Sequence, residues 1–180
     1  KIRKVTATGV VTTFAGSGSQ GSNDGNWIAA TFNIPSGVAV DRNGNVYVTD
    51  VDNHKIRKIS SYGIVTTFAG SGVLGSLDGI GVSARFNRPY SLSIDSASNI
   101  FVADTSNHKI RKITSSGIVT TLAGSGSQGS VDGTGTLATF DNPSGITVDI
   151  NGMVYTAEFY KHRIRKVNSD GKVIIFAGSG

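Results

Sequence analysis

Three aspartates, Asp24, Asp78 and Asp132, recur at a fixed interval, each inside the motif Gly-Ser-x-Asp-Gly. Carboxylates on a glycine-rich connection can accept hydrogen bonds from the hydroxyl or amide groups of a ligand, so they are the first ligand-binding candidates. The competing reading is local, because an aspartate before a glycine can fold its own loop by accepting backbone N–H bonds. His54, His108 and His162 recur at the same interval. Equivalent positions of separate repeats lie too far apart to share one ion at bonds of about 2 Å unless they line a common axis, so these histidines are expected to organise the start of a strand. The stretch Asp41-Arg42-Asn43-Gly44-Asn45 begins like a calcium loop, with carboxylate and amide oxygens alternating. It lacks the terminal glutamate, and its second copy reads Asp95-Ser96-Ala97-Ser98-Asn99. A tight hairpin is expected there, with Asn43 and Gly44 both at positive φ. The sequence therefore offers no metal site and calls for no cofactor.

Catalytic signatures are sparse. There is no Gly-x-Ser-x-Gly elbow, phosphate loop or His-Glu metal motif, and Glu158 is the one glutamate of the chain. A non-enzymatic protein is the expectation. The formal charge of +5 suggests a polyanion partner, yet 12 of the 17 basic residues sit in four copies of one tetrapeptide, Lys1 to Lys4, Lys55 to Lys58, Lys109 to Lys112 and Arg163 to Lys166. Arg57 and Arg111 are expected to pair with Asp50 and Asp104 at the end of the preceding strand, with Arg165 and Glu158 as the third pair and Arg3 as the fourth arginine of the set. Such ion pairs neutralise part of the charge internally and argue against nucleic acid. There is no cysteine, hence no disulfide, and no apolar stretch of the roughly 20 residues a membrane helix needs.

What must position these groups is a repeat. Lys1, Lys55, Lys109 and Arg163 open matching segments 54 residues apart, and 21 of 54 positions are identical in the three full copies. Each unit reads as four β runs, the first full set being Val38–Val40, Val46–Val48, Lys55–Ile59 and Ile64–Phe68, separated by turn residues. The second and fourth runs are apolar or β-branched almost throughout, as expected where both faces of a sheet are covered. Four-stranded antiparallel meanders stacked at this period predict an all-β propeller, with a half blade at 1–18 and full blades at 19–72, 73–126 and 127–180. A stacked β-solenoid is the alternative, and the Asn-Gly hairpin argues against its parallel coils. Phe32, Phe86 and Phe140 are expected to plug each long connection onto its blade.

The blocks Pro35 to Asp41, Gly44 to Asp50 and Asn53 to Ile59 resemble the NHL repeat, and copies at Pro89–Ile113 and Pro143–Val167 extend the resemblance over nearly the whole chain. Resemblance to that family implies a propeller that six blades usually close, so the chain is expected to be a piece of a larger closed propeller or repeat array, or a unit exchanging strands between protomers. Repeated loops, an indel-free repeat with an incomplete terminal blade, and the resemblance together leave a choice among functions. The first is a binding or scaffold module for a protein or glycan, displayed extracellularly or at the cell surface, although no export signal is visible in the segment. A structural protein that self-associates through incomplete blade ends is the second. A metal-dependent propeller lyase or hydrolase and an RNA-binding propeller complete the set, but the inner strands here offer mostly Val, Ala, Ser, Thr and Ile in place of metal ligands.

Overall fold

The computed structural model covers residues 1–180 and consists of strands joined by turns and single 3-10 turns. β1 (Ile2–Val5) and β2 (Val11–Ala15) pair antiparallel and form the half blade. The first full blade comprises β3 (Gly25–Asn26), β4 (Pro35–Val40), β5 (Val46–Asp50), β6 (Lys55–Ile59) and β7 (Ile64–Ala69). The second comprises β8 (Gly79–Ile80), β9 (Pro89–Ile94), β10 (Ile100–Asp104), β11 (Lys109–Ile113) and β12 (Ile118–Ala123). The third comprises β13 (Gly133–Thr134), β14 (Pro143–Val148), β15 (Val154–Glu158), β16 (Arg163–Val167) and β17 (Lys172–Ala177). The innermost strands β4, β9 and β14 lie side by side, and each blade meanders outward from them. This is the all-β propeller architecture that the repeat predicts.

Three details depart from the sequence reading. Each blade has a fifth, two-residue strand, contributed by the long connection that precedes it: Gly25 and Asn26 pair with Val65 and Ile64 on the outermost strand. The long connection thus reaches the blade's outer edge and covers backbone groups that would otherwise stand open to another chain. Second, the outermost strands alternate between buried and exposed residues, whereas β5 and β10 are buried at every position. Full cover on both faces belongs to the second strands of the first two blades, since the innermost strands β4, β9 and β14 also keep partly or fully exposed positions. Third, the Asp41 hairpin has positive φ at Gly44 and not at Asn43. Gly44 N–H donates to the Asp41 carbonyl and Asp41 N–H to the Asn45 carbonyl, the pattern of a three-residue loop ending in a left-handed residue. The Asp41 carboxylate sets it by accepting from the backbone N–H groups of Asn43 and Asn45 and from the Asn45 amide. The oxygens that resemble calcium ligands therefore build a turn.

Apolar side chains meet between blades. One cluster joins Tyr47, Ile56 and Ala69 of the first blade to Leu92, Ile100 and Val102 of the second, and comparable clusters fill the two other seams. Phe86 and Phe140 are fully buried and Phe32 nearly so, plugging the long connections into these seams.

Candidate functional site

Each blade buries an arginine completely. Arg57 donates through Nη1 to Asp50 Oδ2 at 2.7 Å and the Thr31 carbonyl at 3.1 Å, and through Nη2 to Asp24 Oδ1 at 2.6 Å and the Asn23 carbonyl at 3.0 Å. Arg111 repeats the set with Asp104 at 2.8 Å and Asp78 at 2.6 Å, and Arg165 with Glu158 at 3.1 Å and Asp132 at 2.6 Å. The guanidinium carbons stand 5.1 Å from the Phe32 ring centroid, 5.2 Å from Phe86 and 5.3 Å from Phe140. Stacking on the ring face compensates for Nε, which has no hydrogen-bond acceptor in any of the three. A buried cation requires such partners, and here it staples the long connection to the end of the second strand. Burial pushes the Asp104 carboxyl up from its ordinary range, against the pull of the Arg111 guanidinium and the donors Asn107 and Asn87. Arg3, in the half blade, has no carboxylate partner and reaches the Thr12 carbonyl instead.

This geometry bears directly on Asp24, Asp78 and Asp132. All three are half exposed, and all three are bonded within their blades. Besides its arginine, Asp24 accepts from the backbone N–H and hydroxyl of Thr67, Asp78 does the same with Thr121, and Asp132 accepts from the Ile175 N–H. The bonds run to the outermost strand, not to the aspartate's own loop.

The histidines occupy a left-handed position, φ about 55° at His54, closing the 3-10 turn before the third strand. Their rings also link blades: His54 Nδ1 accepts the Arg88 N–H at 3.1 Å, and His108 Nδ1 accepts the Asn142 N–H at 3.2 Å. Partial burial holds the His54 pKa below 6.5, Asp52 opposing and Arg88 reinforcing the shift, which favours the neutral ring that an acceptor needs.

Where these links end, a cleft opens. It has a volume of about 430 Å³, within the range of small-ligand sites, and lies between the second and third blades. Its lining comes from two pieces of chain in each blade: the end of the long connection and the 3-10 turn after the second strand. Arg88, Tyr90, Thr105 and Ser106 come from the second blade, and their four counterparts from the third are Asn142, Ser144, Phe159 and Tyr160. The eight residues are four repeat positions taken twice, since each third-blade residue lies 54 positions after its second-blade counterpart. At three of those positions all copies differ: Ile34, Arg88 and Asn142; Val51, Thr105 and Phe159; Asp52, Ser106 and Tyr160.

Comparison with known proteins fits this geometry. The family model of the NHL repeat matches residues 32–59, from the Phe32 plug to the end of β6. The chain thus carries an NHL repeat within a β-propeller fold. It is 30% identical over 177 residues to NHL repeat-containing protein 2 of Bos taurus, a match covering 89% of this chain and 24% of that protein. The chain thus spans about a quarter of that relative's length. Among solved structures, a protein of unknown function from Bacteroides thetaiotaomicron superposes with a TM-score of 0.75 at 26% identity, over 89% of this chain and 40% of that one. An auxiliary nutrient binding protein of the same organism does so with a TM-score of 0.65 at 25% identity, over 78% and 37% of the two chains.

The matched NHL segment contains Phe32, Asp50 and Arg57 of the first staple and, at Ile34, Ser36, Val51 and Asp52, the first-blade counterparts of the cleft positions. Reading the sequence for shared residues found the staple, because Arg57 and its copies stand out by repetition. The rim escaped that reading, since its signal is the opposite one: neighbouring positions that change in every copy of an otherwise regular repeat.

Proposed function

We propose that this NHL propeller segment is a non-enzymatic binding module whose ligand sits in the cleft between the second and third blades. The single observation that carries the reading is the composition of the lining, in which three of four repeat positions differ in every copy while 21 of 54 positions elsewhere are identical. Eight further positions of the repeat also differ in every copy, but those three meet at one concave rim, where divergence alters what can be bound without altering what folds. None of the lining residues is Asp, Glu, His or Cys, so the rim lacks the carboxylate or imidazole that general acid–base hydrolysis uses. The similarity to an auxiliary nutrient binding protein supports a binding role. The test is a nitrogen-15 NMR titration of the 180-residue chain with a panel of oligosaccharides and peptides. Shifts centred on Tyr90, Thr105 and Tyr160, and lost in Tyr160→Ala, are expected. Shifts centred elsewhere, or none across the panel, overturn the reading.

A second reading, self-association, is favoured by one feature. Ile2, Phe14, Val38 and Val40 line a groove of about 490 Å³ between β1 and β4, where the two inner strands of a blade would lie. Strands lent by a second copy would fill it. Sedimentation velocity that shows a monomer at every concentration rejects this reading.

A further inference from the structure

We infer that the cleft recognises a carboxylate-bearing oligosaccharide, a sugar chain with uronate units, an inference that rests on the binding-module reading and adds to it the class of ligand. The aromatic content of the cleft is the first observation. The chain has 14 aromatic residues, of which nine occupy three repeated positions and recur as aromatics between blades. Five have no aromatic counterpart in any other copy: Trp27, Tyr62, Tyr90, Phe159 and Tyr160. Three of those five converge in this one cleft. Phe159 and Tyr160 are 67% and 66% exposed, with ring centroids 5.1 Å apart and planes at 89°. Two rings fixed at right angles on a short turn are poor packing for a core and a good corner for a flat, partly apolar ligand. The C–H bonds on one face of a pyranose meet the electron-rich face of such a ring.

Arg88 supplies the second observation. Its backbone N–H is held by His54 and its Nε lies 3.0 Å from Asp52 Oδ1, while its two terminal nitrogens have no protein acceptor. The side chain is 54% exposed. An arginine anchored at one edge with the other edge free is a fork for a planar two-oxygen anion, and a carboxylate fits it with two parallel hydrogen bonds. Sugar hydroxyls then find small polar partners in Ser106 and in the amide oxygen of Asn142, neither of which is used as a side-chain acceptor within the protein.

Charge separates this ligand from a nucleic acid. Arg88 is the one cation in the lining, with Asp52 beside it, and the nearby Lys161 faces Asp141 at 3.7 Å. A string of phosphates needs several free cations along a track. No lysine of the repeated tetrapeptide lines the cleft: Lys58, Lys112 and Lys166 lie over the rings of Tyr47, Phe101 and Tyr155, and Lys55 and Lys109 donate to Ser22 and Ser76.

The experiment is calorimetric titration of the 180-residue chain with trigalacturonate and with the neutral galactose trimer, alongside NMR titration with both sugars, a uridine hexanucleotide and a tyrosine-containing peptide. Trigalacturonate is expected to bind about tenfold more tightly than the neutral trimer, the worth of one charge-assisted contact. Arg88→Gln should remove that preference and leave neutral binding in place, and Tyr160→Ala should weaken both sugars. Equal affinity for the two trimers overturns the carboxylate assignment. Binding of the nucleotide or the peptide at Tyr160 with neither sugar bound overturns the sugar class while the binding-module reading stands. If no probe shifts the cleft residues, both fail together.

Discussion

In the second and third blades the same two pieces of chain build two different things, one side chain apart. Asp104 points into the blade and meets Arg111, and its neighbour Thr105 lines the cleft; Phe86 stacks on that arginine, and Arg88 two residues later stands on the rim. The inward residues keep their chemistry in all three blades, with Arg at 57, 111 and 165 and a carboxylate at 50, 104 and 158. At three of the four outward positions every copy differs, and at the fourth Tyr90 stands between Ser36 and Ser144. The difference shows how a repeat separates folding from recognition at adjacent positions: a buried ion pair has one good geometry, so its members are fixed, while a side chain facing solvent is free to vary without cost to the blade.

The largest expected effect breaks the buried half of that comparison. Arg111→Met strands Asp104 in the seam and frees Asp78, and removal of one partner from a buried pair costs about 3–5 kcal/mol. Urea denaturation followed by circular dichroism checks it. The matching change on the rim, Phe159→Ala with Tyr160→Ala, should move stability by less than about 0.5 kcal/mol, because both rings are mostly in water. If the rim variant unfolds as readily as the Arg111 variant, the two regions are not distinct.

Next in size is Gly124→Ala. Gly124 has φ +104°, and a Cβ there would lie 2.5 Å from the His108 carbonyl oxygen and 2.9 Å from the Lys109 Cα. Left-handed strain and a backbone clash together should cost about 2–3 kcal/mol, read from the same denaturation curves. A smaller loss, about 1 kcal/mol, is expected for Asp78→Asn, whose carboxylate is half exposed and screened by solvent. This variant sharpens the comparison, because Asp78 belongs to the staple by its contacts: stability should fall while the affinity of any cleft ligand is unchanged.

Much of this was legible in the residues. The 54-residue period, the four runs per unit and the Arg57–Asp50 pair all follow from repetition and charge complementarity, and repetition is what a single sequence displays best. The second bond of each arginine was not legible, because Asp24 and Arg57 are 33 residues apart and meet only when the long connection doubles back over its own blade. The fifth strand was hidden for the same reason, Gly25-Asn26 being a strand only because Ile64 and Val65 lie beside it. The cleft was hidden differently. Thr105, Ser106 and Asn142 are unremarkable residue types, and their convergence depends on how one blade is rotated against the next.

The smallest effect tests the link between the two regions. His54 accepts the Arg88 N–H across the first seam, so protonation of Nδ1 removes the acceptor and places a cation beside Arg88, partly balanced by Asp52. Its folded pKa lies below 6.5, so the unfolded chain takes up the proton first; the contribution to stability is full above the unfolded pKa and is lost as pH falls through the folded value. Because the chain also holds His108 and His162, the readout is a difference between proteins. The denaturation midpoint of the native sequence should drop more between about pH 7.5 and about pH 5.5 than that of His54→Asn, in which a residue tolerant of the left-handed region stands in the same place without titrating. Since the lost bond positions Arg88, carboxylate affinity should decline over the same interval. Equal drops in the two proteins would separate the seam from the rim and leave Arg88 held by Asp52 alone.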